Sequence, residues 1–227
     1  MKHLVILGAG TGGTMMANRL RRALPVKAWS IAVVDRNDDH LYQPGLLFVP
    51  FGQSRIEDLV RPRSSLLEAG VDLVLGEVDR IDPMAHLVIL RDDVTLPYDL
   101  LVVATGCRIA PEATEGLVDR GWRESAFDFY SADGAVALAR ALDAFQQGRI
   151  VINMVEMPIK CPVAPLEFAF LADAWFTTRG IRDRVEITFA TPLDGAFTKP
   201  TASAMLGGLL DERRIAVEPN FALEKVD

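Results

Sequence analysis

Apolar residues fall in short runs closed by glycine or charge, and these runs alternate with stretches of helical spacing. His3–Leu7 (HLVIL) predicts a strand, Gly8–Gly13 (GAGTGG) a turn, and Thr14–Leu24 a helix with Met15, Leu20 and Leu24 among its apolar positions. Ser30–Val34 (SIAVV) predicts a second strand with Asp35 at its carboxyl end. Asn37–Gly52 carries two prolines and two glycines and reads as a long loop whose apolar residues pack on something, a ligand included. Ile56–Gly70 reads as a helical stretch, Val71–Leu75 as a strand, and Val78–Ile81 with His86–Leu90 as a hairpin around Asp82-Pro83. Leu96–Ala104 (LPYDLLVVA) predicts one strand running into Thr105-Gly106.

Cys107–Ser131 is irregular and rich in Glu, Gly and Pro, as a crossing between two lobes would be. The alternation then resumes. A helix is expected over Ala132–Gln147, a strand over Arg149–Val155 (RIVINMV), a helix over Pro165–Arg179 and a strand over Val185–Thr191. A further helix near Ser203–Arg213 and a strand at Ile215–Glu218 follow. Repeated strand–helix alternation implies right-handed parallel units. The expected fold class is α/β, with two Rossmann-like, doubly wound lobes over 1–110 and 111–227, the second incomplete.

The opening turn matches G-x-G-x-x-G in the context that gives this pattern meaning: strand, turn, helix, strand, acid. Gly8 permits the tight turn, Gly10 lets the backbone approach a pyrophosphate, and Gly13 lets the helix pack close to the strand. Thr11 and Gly12 lie at the helix amino end, whose unpaired N–H groups and dipole favour phosphate. Asp35, followed by Arg36, can accept hydrogen bonds from a ribose.

Half of the 227 residues are hydrophobic, enough for a real core. A formal charge of −7 and the lack of a basic stripe argue against nucleic acid as a partner. Cys107 and Cys161 form neither a C-x-x-C pair nor a disulfide framework, which suits a reducing, cytoplasmic compartment. His3, His40 and His86 are scattered, so no metal site is expected. The first strand starts too early for a signal peptide, and no run approaches the length of a membrane span.

After the strand RIVINMV, a nicotinamide-binding lobe would carry a second glycine turn. The chain has Glu156–Pro165 (EMPIKCPVAP) there, with no glycine and three prolines, which disfavours a pyrophosphate. Cys161 stands in this loop just before a helix, beside Lys160. A helix amino end and a lysine both favour thiolate over thiol, as a redox or nucleophilic cysteine requires. Cys107 is read as incidental.

Two such lobes, joined by a strand ending in Ala104-Thr105-Gly106, resemble the two-dinucleotide-domain flavoproteins. That resemblance implies FAD on the first fingerprint, Ala104, Thr105 and Gly106 against the flavin nucleotide, and the backbone of Val78 near adenine. GAGTGG, YQPGLLFVPFG, LLVVATG, EMPIKCPVAPLEF and TPLDGAFTKP together resemble the sulfide:quinone oxidoreductase and flavocytochrome c sulfide dehydrogenase family over the whole chain. The resemblance implies a cysteine disulfide or persulfide relay that oxidises sulfide or a small thiol and passes electrons through FAD to quinone. Cys161 matches its first cysteine, and Gln43 and Pro44 join the cofactor site.

The family's second relay cysteine lies further along than this chain reaches, and its Gly-Asp motif is absent. RESAFDFYSADG offers no counterpart to the third cysteine of some members, and the loop around Tyr42-Gln43-Pro44 has no cysteine for covalent flavin. The resemblance also places quinone contacts and membrane-surface helices in a carboxyl-terminal region not present here; it puts a full-length member on the inner membrane face and admits a homo-oligomer. Two alternatives stand beside it: an NAD(P)H-oxidising flavoprotein such as a type II NADH dehydrogenase, and a non-catalytic nucleotide-binding fragment.

Overall fold

Strand β1 (Lys2–Leu7) is buried over its last four residues without the usual alternation, the mark of an interior parallel strand covered on both faces. The computed structural model describes all residues, 1–227, and groups them into two compact units: Met1–Tyr42 with Glu57–Arg108, and Gln43–Ile56 with Ile109–Asp227. The crossing from the first unit into the second thus falls after Arg108. The Gln43–Ile56 segment, expected in the first lobe, groups with the second unit.

In the first unit, helix α1 (Thr11–Ala23) starts inside the glycine turn, three residues earlier than the apolar spacing predicts. It leads to β2 (Trp29–Asp35), which pairs in parallel with β1, Leu4 opposite Ile31 and Leu7 opposite Val34. The short strands β3 (Asp39–Leu41) and β4 (Val60–Pro62) form an antiparallel pair, and the single helical turn α2 (Ile56–Leu59) precedes β4. Next come β5 (Asp72–Leu75), an antiparallel sheet of β6 (Val78–Asp82), β7 (Leu87–Leu90) and β8 (Thr95–Pro97), and then β9 (Leu100–Val103). The parallel sheet runs β5-β2-β1-β9. Period-two geometry divides its core: Leu4, Ile6, Ile31 and Val33 pack with Ala17 of α1, whereas Val5, Leu7 and Val34 pack with Val88 and Leu90 of β7.

Two expectations for this unit are corrected. Ile56–Gly70 is not a helix: after one turn the chain extends through β4 and coils tightly over Arg63–Leu66. Pro62 biases Arg61 toward extended backbone and cannot donate within a helix. Leu96–Ala104 is two strands in two sheets, β8 on β7 and β9 on β1, split where the main-chain N–H of Asp99 donates to His3.

In the second unit, Gln43–Phe51 forms a 3-10 helix rather than an open loop. Leu47 and Phe51 enter the core, with the Phe51 ring 4.9 Å from that of Phe168, so this segment's apolar residues serve protein packing. Helix α3 (Ala132–Ala144) is capped by Ser131, whose hydroxyl accepts from the Gly134 N–H. Then follow β10 (Gly148–Asn153), α4 (Ala164–Thr178), β11 (Val185–Ala190), α5 (Pro200–Glu212) and β12 (Ile215–Glu218). The three strands are parallel in the order β10-β11-β12. Phe168, Phe176, Ile187 and Phe189 are buried at their centre. No helix is long and apolar enough to cross a membrane.

Candidate functional site

The first unit brings Gly8–Gly13, Asp35, Arg36 and Ala104–Gly106 to the carboxyl edge of its parallel sheet. Gly8 has φ +93°, and a Cβ there would lie 2.5 Å from the Ala104 carbonyl oxygen. A Cβ on Gly13 would lie 1.7 Å from the Gly8 carbonyl oxygen, so only glycine permits this approach of α1 to the turn. Gly10 and Gly12 face open space, with nothing within 4 Å of a Cβ. The glycines thus divide into two that the backbone crossing requires and two that keep the turn's outer surface clear.

Helix α1 has Gly10 as its cap, no side-chain cap and no acid in its first turn. Its first N–H groups therefore remain for an anion, and exposed Thr11 stands among them. Asp35 Oδ2 accepts from the Ala9 N–H at 2.7 Å, and Oδ1 accepts from the Arg36 N–H at 2.7 Å. With two lone pairs per oxygen, the carboxylate retains acceptor capacity for a sugar hydroxyl. Exposed Thr105 and Gly106 follow β9, and Gly106 has φ +72°. Val78 begins β6 in the neighbouring antiparallel sheet. A dinucleotide fits these residues: clear glycine surface, an uncapped helix terminus and an acid at the end of the second strand.

Sequence reasoning missed His40 and Arg63. His40 Nδ1 and Arg63 Nε both donate to the Ala9 carbonyl, each at 3.2 Å, and Arg63 Nη2 lies 3.3 Å from Asp35 Oδ2. Main-chain and hydroxyl hydrogen bonds from Ser64, with the Arg63 charge adding to them, hold the Asp38 carboxyl below its ordinary pKa. No local pattern marks these residues, because they act across long sequence separations.

The cysteine loop lies in the second unit, and so do Gln43 and Pro44, which were expected beside the cofactor. Exposed Cys161 takes a left-handed backbone conformation, φ +52°, in the turn before α4. The Ala164 N–H donates to the Cys161 carbonyl at 3.0 Å. The Lys160 ammonium, expected to favour the thiolate, donates instead to the side-chain oxygen of Gln43. Tyr130 Oη donates to the Cys161 carbonyl at 3.3 Å. Burial, followed by the Cys161 and Glu167 charges, pushes the Tyr130 phenol far above its ordinary pKa. Cys107, the other exposed thiol, follows Gly106 in the first unit. A cavity of about 630 Å³ lies among α5, β12 and residues 194–198, and none of the expected site residues lines it.

A Rossmann-type flavoprotein architecture is thus defined by a parallel sheet, a glycine turn and a helix terminus in the first unit and by a second parallel unit. The family model for pyridine nucleotide-disulphide oxidoreductases matches residues 2–152, and the chain belongs to that family of FAD-binding oxidoreductases. Among curated relatives, the mitochondrial sulfide:quinone oxidoreductase of Mus musculus is 27% identical over 224 residues, 99% of this chain and 49% of the relative. The sulfide-quinone reductase of Aquifex aeolicus is 27% identical over 231 residues, 100% of this chain and 50% of the relative. The chain spans about half the length of the curated relatives it matches. A type II NADH:quinone oxidoreductase of Staphylococcus aureus is 28% identical over a shorter stretch, 54% of this chain. The crystal structure of the sulfide:quinone oxidoreductase from Aquifex aeolicus superposes with a TM-score of 0.87 at 23% identity, covering 100% of this chain and 53% of that one.

Proposed function

We propose that the chain is the cofactor-binding and relay-cysteine part of an FAD-dependent oxidoreductase that oxidises sulfide or a small thiol and delivers the electrons to a quinone. One observation carries this reading. Where a second nucleotide site needs a glycine turn, the β10–α4 connection has Pro158, Pro162 and an exposed cysteine held in a left-handed turn. Full-length similarity to sulfide:quinone oxidoreductases supports it, whereas the NADH:quinone oxidoreductase similarity reaches 54% of the chain.

The amino end of α1, with Gly10, Thr11 and Gly12, receives the FAD pyrophosphate, and Asp35 holds the adenosine ribose. The Val78 backbone faces adenine, and Ala104, Thr105 and Gly106 meet the flavin nucleotide. Bound FAD supplies the two-electron acceptor that is reoxidised by quinone. Cys161 supplies the sulfur chemistry: when it is joined to a second thiol as a disulfide, hydrosulfide attacks one sulfur, the S–S bond breaks, and a persulfide and a thiolate result. Gln43, through Lys160, and Tyr130 hold the loop that carries this sulfur. The proposed site of action is the cytoplasmic face of a membrane.

Anaerobic stopped-flow mixing of FAD-loaded protein that carries both relay thiols with sulfide and, separately, with NADH tests the reading. Sulfide is expected to bleach the flavin band and NADH to leave it unchanged. Bleaching by NADH alone would transfer the chain to the NADH-oxidising class.

A further inference from the structure

We propose that Arg63 is a positioning residue of the dinucleotide site, fixing Asp35 and the Ala9–Gly10 peptide for the ribose and pyrophosphate of FAD. The proposal rests on the reading of Asp35 as ribose acceptor. The Arg63 guanidinium spans acceptors on three residues: Nε donates to the Ala9 carbonyl at 3.2 Å, Nη2 lies 3.3 Å from Asp35 Oδ2, and Nη1 donates to the carbonyl and side-chain oxygens of Asn37, both at 2.5 Å. It thereby joins the glycine turn to the end of β2. The two side chains of the ion pair are only 13% and 15% exposed, so solvent and salt screen it less than a surface pair.

Asp35 Oδ2 also accepts from the Ala9 N–H at 2.7 Å, so the cation and the turn share one oxygen and fix its direction. The Ala9 carbonyl accepts from Thr14 Oγ1 at 3.1 Å as well as from His40 and Arg63. Donors loaded onto a peptide carbonyl, one of them charged, polarise that amide and strengthen the N–H at its other end. Here the other end is Gly10, the residue whose outer face is open.

Docking of the Arg63 segment does not depend on this side chain. The Arg63 N–H donates to the Asp38 carbonyl at 2.7 Å, and Ser64 binds the Asp38 carboxylate through its N–H and hydroxyl, each at 2.8 Å. A lysine in place of Arg63 could reach one acceptor but could not span the set, because it lacks the rigid fork.

The test is titration of the full, flavin-free chain with FAD, followed by flavin fluorescence, with circular dichroism and melting temperature recorded for each variant. Arg63→Gln and Arg63→Lys are each expected to weaken FAD binding about tenfold or more, the size of a lost charged hydrogen bond. In an Asp35→Asn background Arg63→Gln should cost far less, because the acceptor it orients is already altered. Ser64→Ala, which removes an anchor of the same segment, should leave FAD affinity unchanged. Should Arg63→Gln fail to fold, Arg63→Lys with its own Asp35→Asn cycle carries the test. Unchanged FAD affinity in the Arg63 variants, or the same loss with and without Asp35→Asn, overturns the proposal. Absence of FAD binding by the parent overturns the cofactor reading and this proposal together, and shows before any variant is made.

Discussion

The Tyr130 hydroxyl donates to the main-chain carbonyl of Cys161 at 3.3 Å, tying the residue before the α3 cap to the turn before α4. Asp128 accepts from the main-chain N–H of Tyr130 at 3.0 Å, and the Phe129 ring stacks 4.8 Å from Phe168. Burial first, then the Cys161 and Glu167 charges, raise the phenol's pKa in the folded chain. A raised folded value gives a definite sign: the contribution is complete below the unfolded pKa of about 10 and is lost as pH rises from there toward the folded value. Melting temperatures measured from neutral to strongly alkaline pH should fall more steeply above about pH 10 in the parent than in Tyr130→Phe. Parallel curves would show that the phenol does not resist ionisation in the fold.

The fingerprint glycines should separate into two phenotypes. Gly13→Ala places a Cβ 1.7 Å from a backbone oxygen, which no side-chain movement relieves. It should lower the melting temperature sharply, with a cost at or above the roughly 1–3 kcal/mol usual for overpacking. Gly10→Val meets open space and should retain the parent's melting temperature, while FAD affinity falls because the branched side chain occupies the surface a pyrophosphate would approach. Differential scanning fluorimetry with flavin titration checks both. Equal behaviour of the two variants would dissolve the distinction.

The parts of this fold that were legible in the sequence are those whose signal is local. The glycine turn, β1, β2 and Asp35 follow from periodicity and spacing within the first 35 residues, and Ile215–Glu218 is a strand at its expected bounds. The misread segments share another physics. Ile56, Leu59, Leu66 and Leu67 have helix-like spacing, yet the chain extends where Pro62 interrupts it and where Arg63 turns to Ala9 and Asp35. The role of Arg63 spans 54 residues to Ala9, and that of Gln43 spans 117 to Lys160, distances at which no spacing rule operates. Leu47 and Phe51 were legible as apolar but not as core, since their partner Phe168 lies on α4.

The second unit rests on a buried charge pair whose removal should be costly. Arg182 Nε donates to Asp173 Oδ1 at 2.6 Å, and the same guanidinium donates to the carbonyls of Val185, Arg213 and Arg214. The two side chains are 9% and 10% exposed. Asp173→Asn leaves the guanidinium buried without its counter-charge and should destabilise by about 3–5 kcal/mol, the range for breaking one side of a buried pair. Urea unfolding at neutral pH measures it. A change below about 1 kcal/mol, as for surface pairs, would mean that water reaches the site.

Sulfur chemistry should separate the two exposed cysteines. Both Cys107 and Cys161 are open to solvent, so both should alkylate in the native chain. Only Cys161 has a built environment in its own unit: a left-handed turn, the Tyr130 hydroxyl and Ala164 N–H on its carbonyl, and Lys160 held by Gln43. Treatment with inorganic polysulfide, trapping of thiols and peptide mass analysis should place one added sulfur atom on the Cys161 peptide well before the Cys107 peptide. In protein that carries both relay thiols, Cys161→Ser should retain FAD and lose sulfide-driven flavin reduction by orders of magnitude, because a serine hydroxyl forms neither a disulfide nor a persulfide. Cys107→Ser should reduce at the parent's rate. Flavin reduction that survives Cys161→Ser would remove the cysteine from the relay and leave it as an exposed residue of the α4 turn.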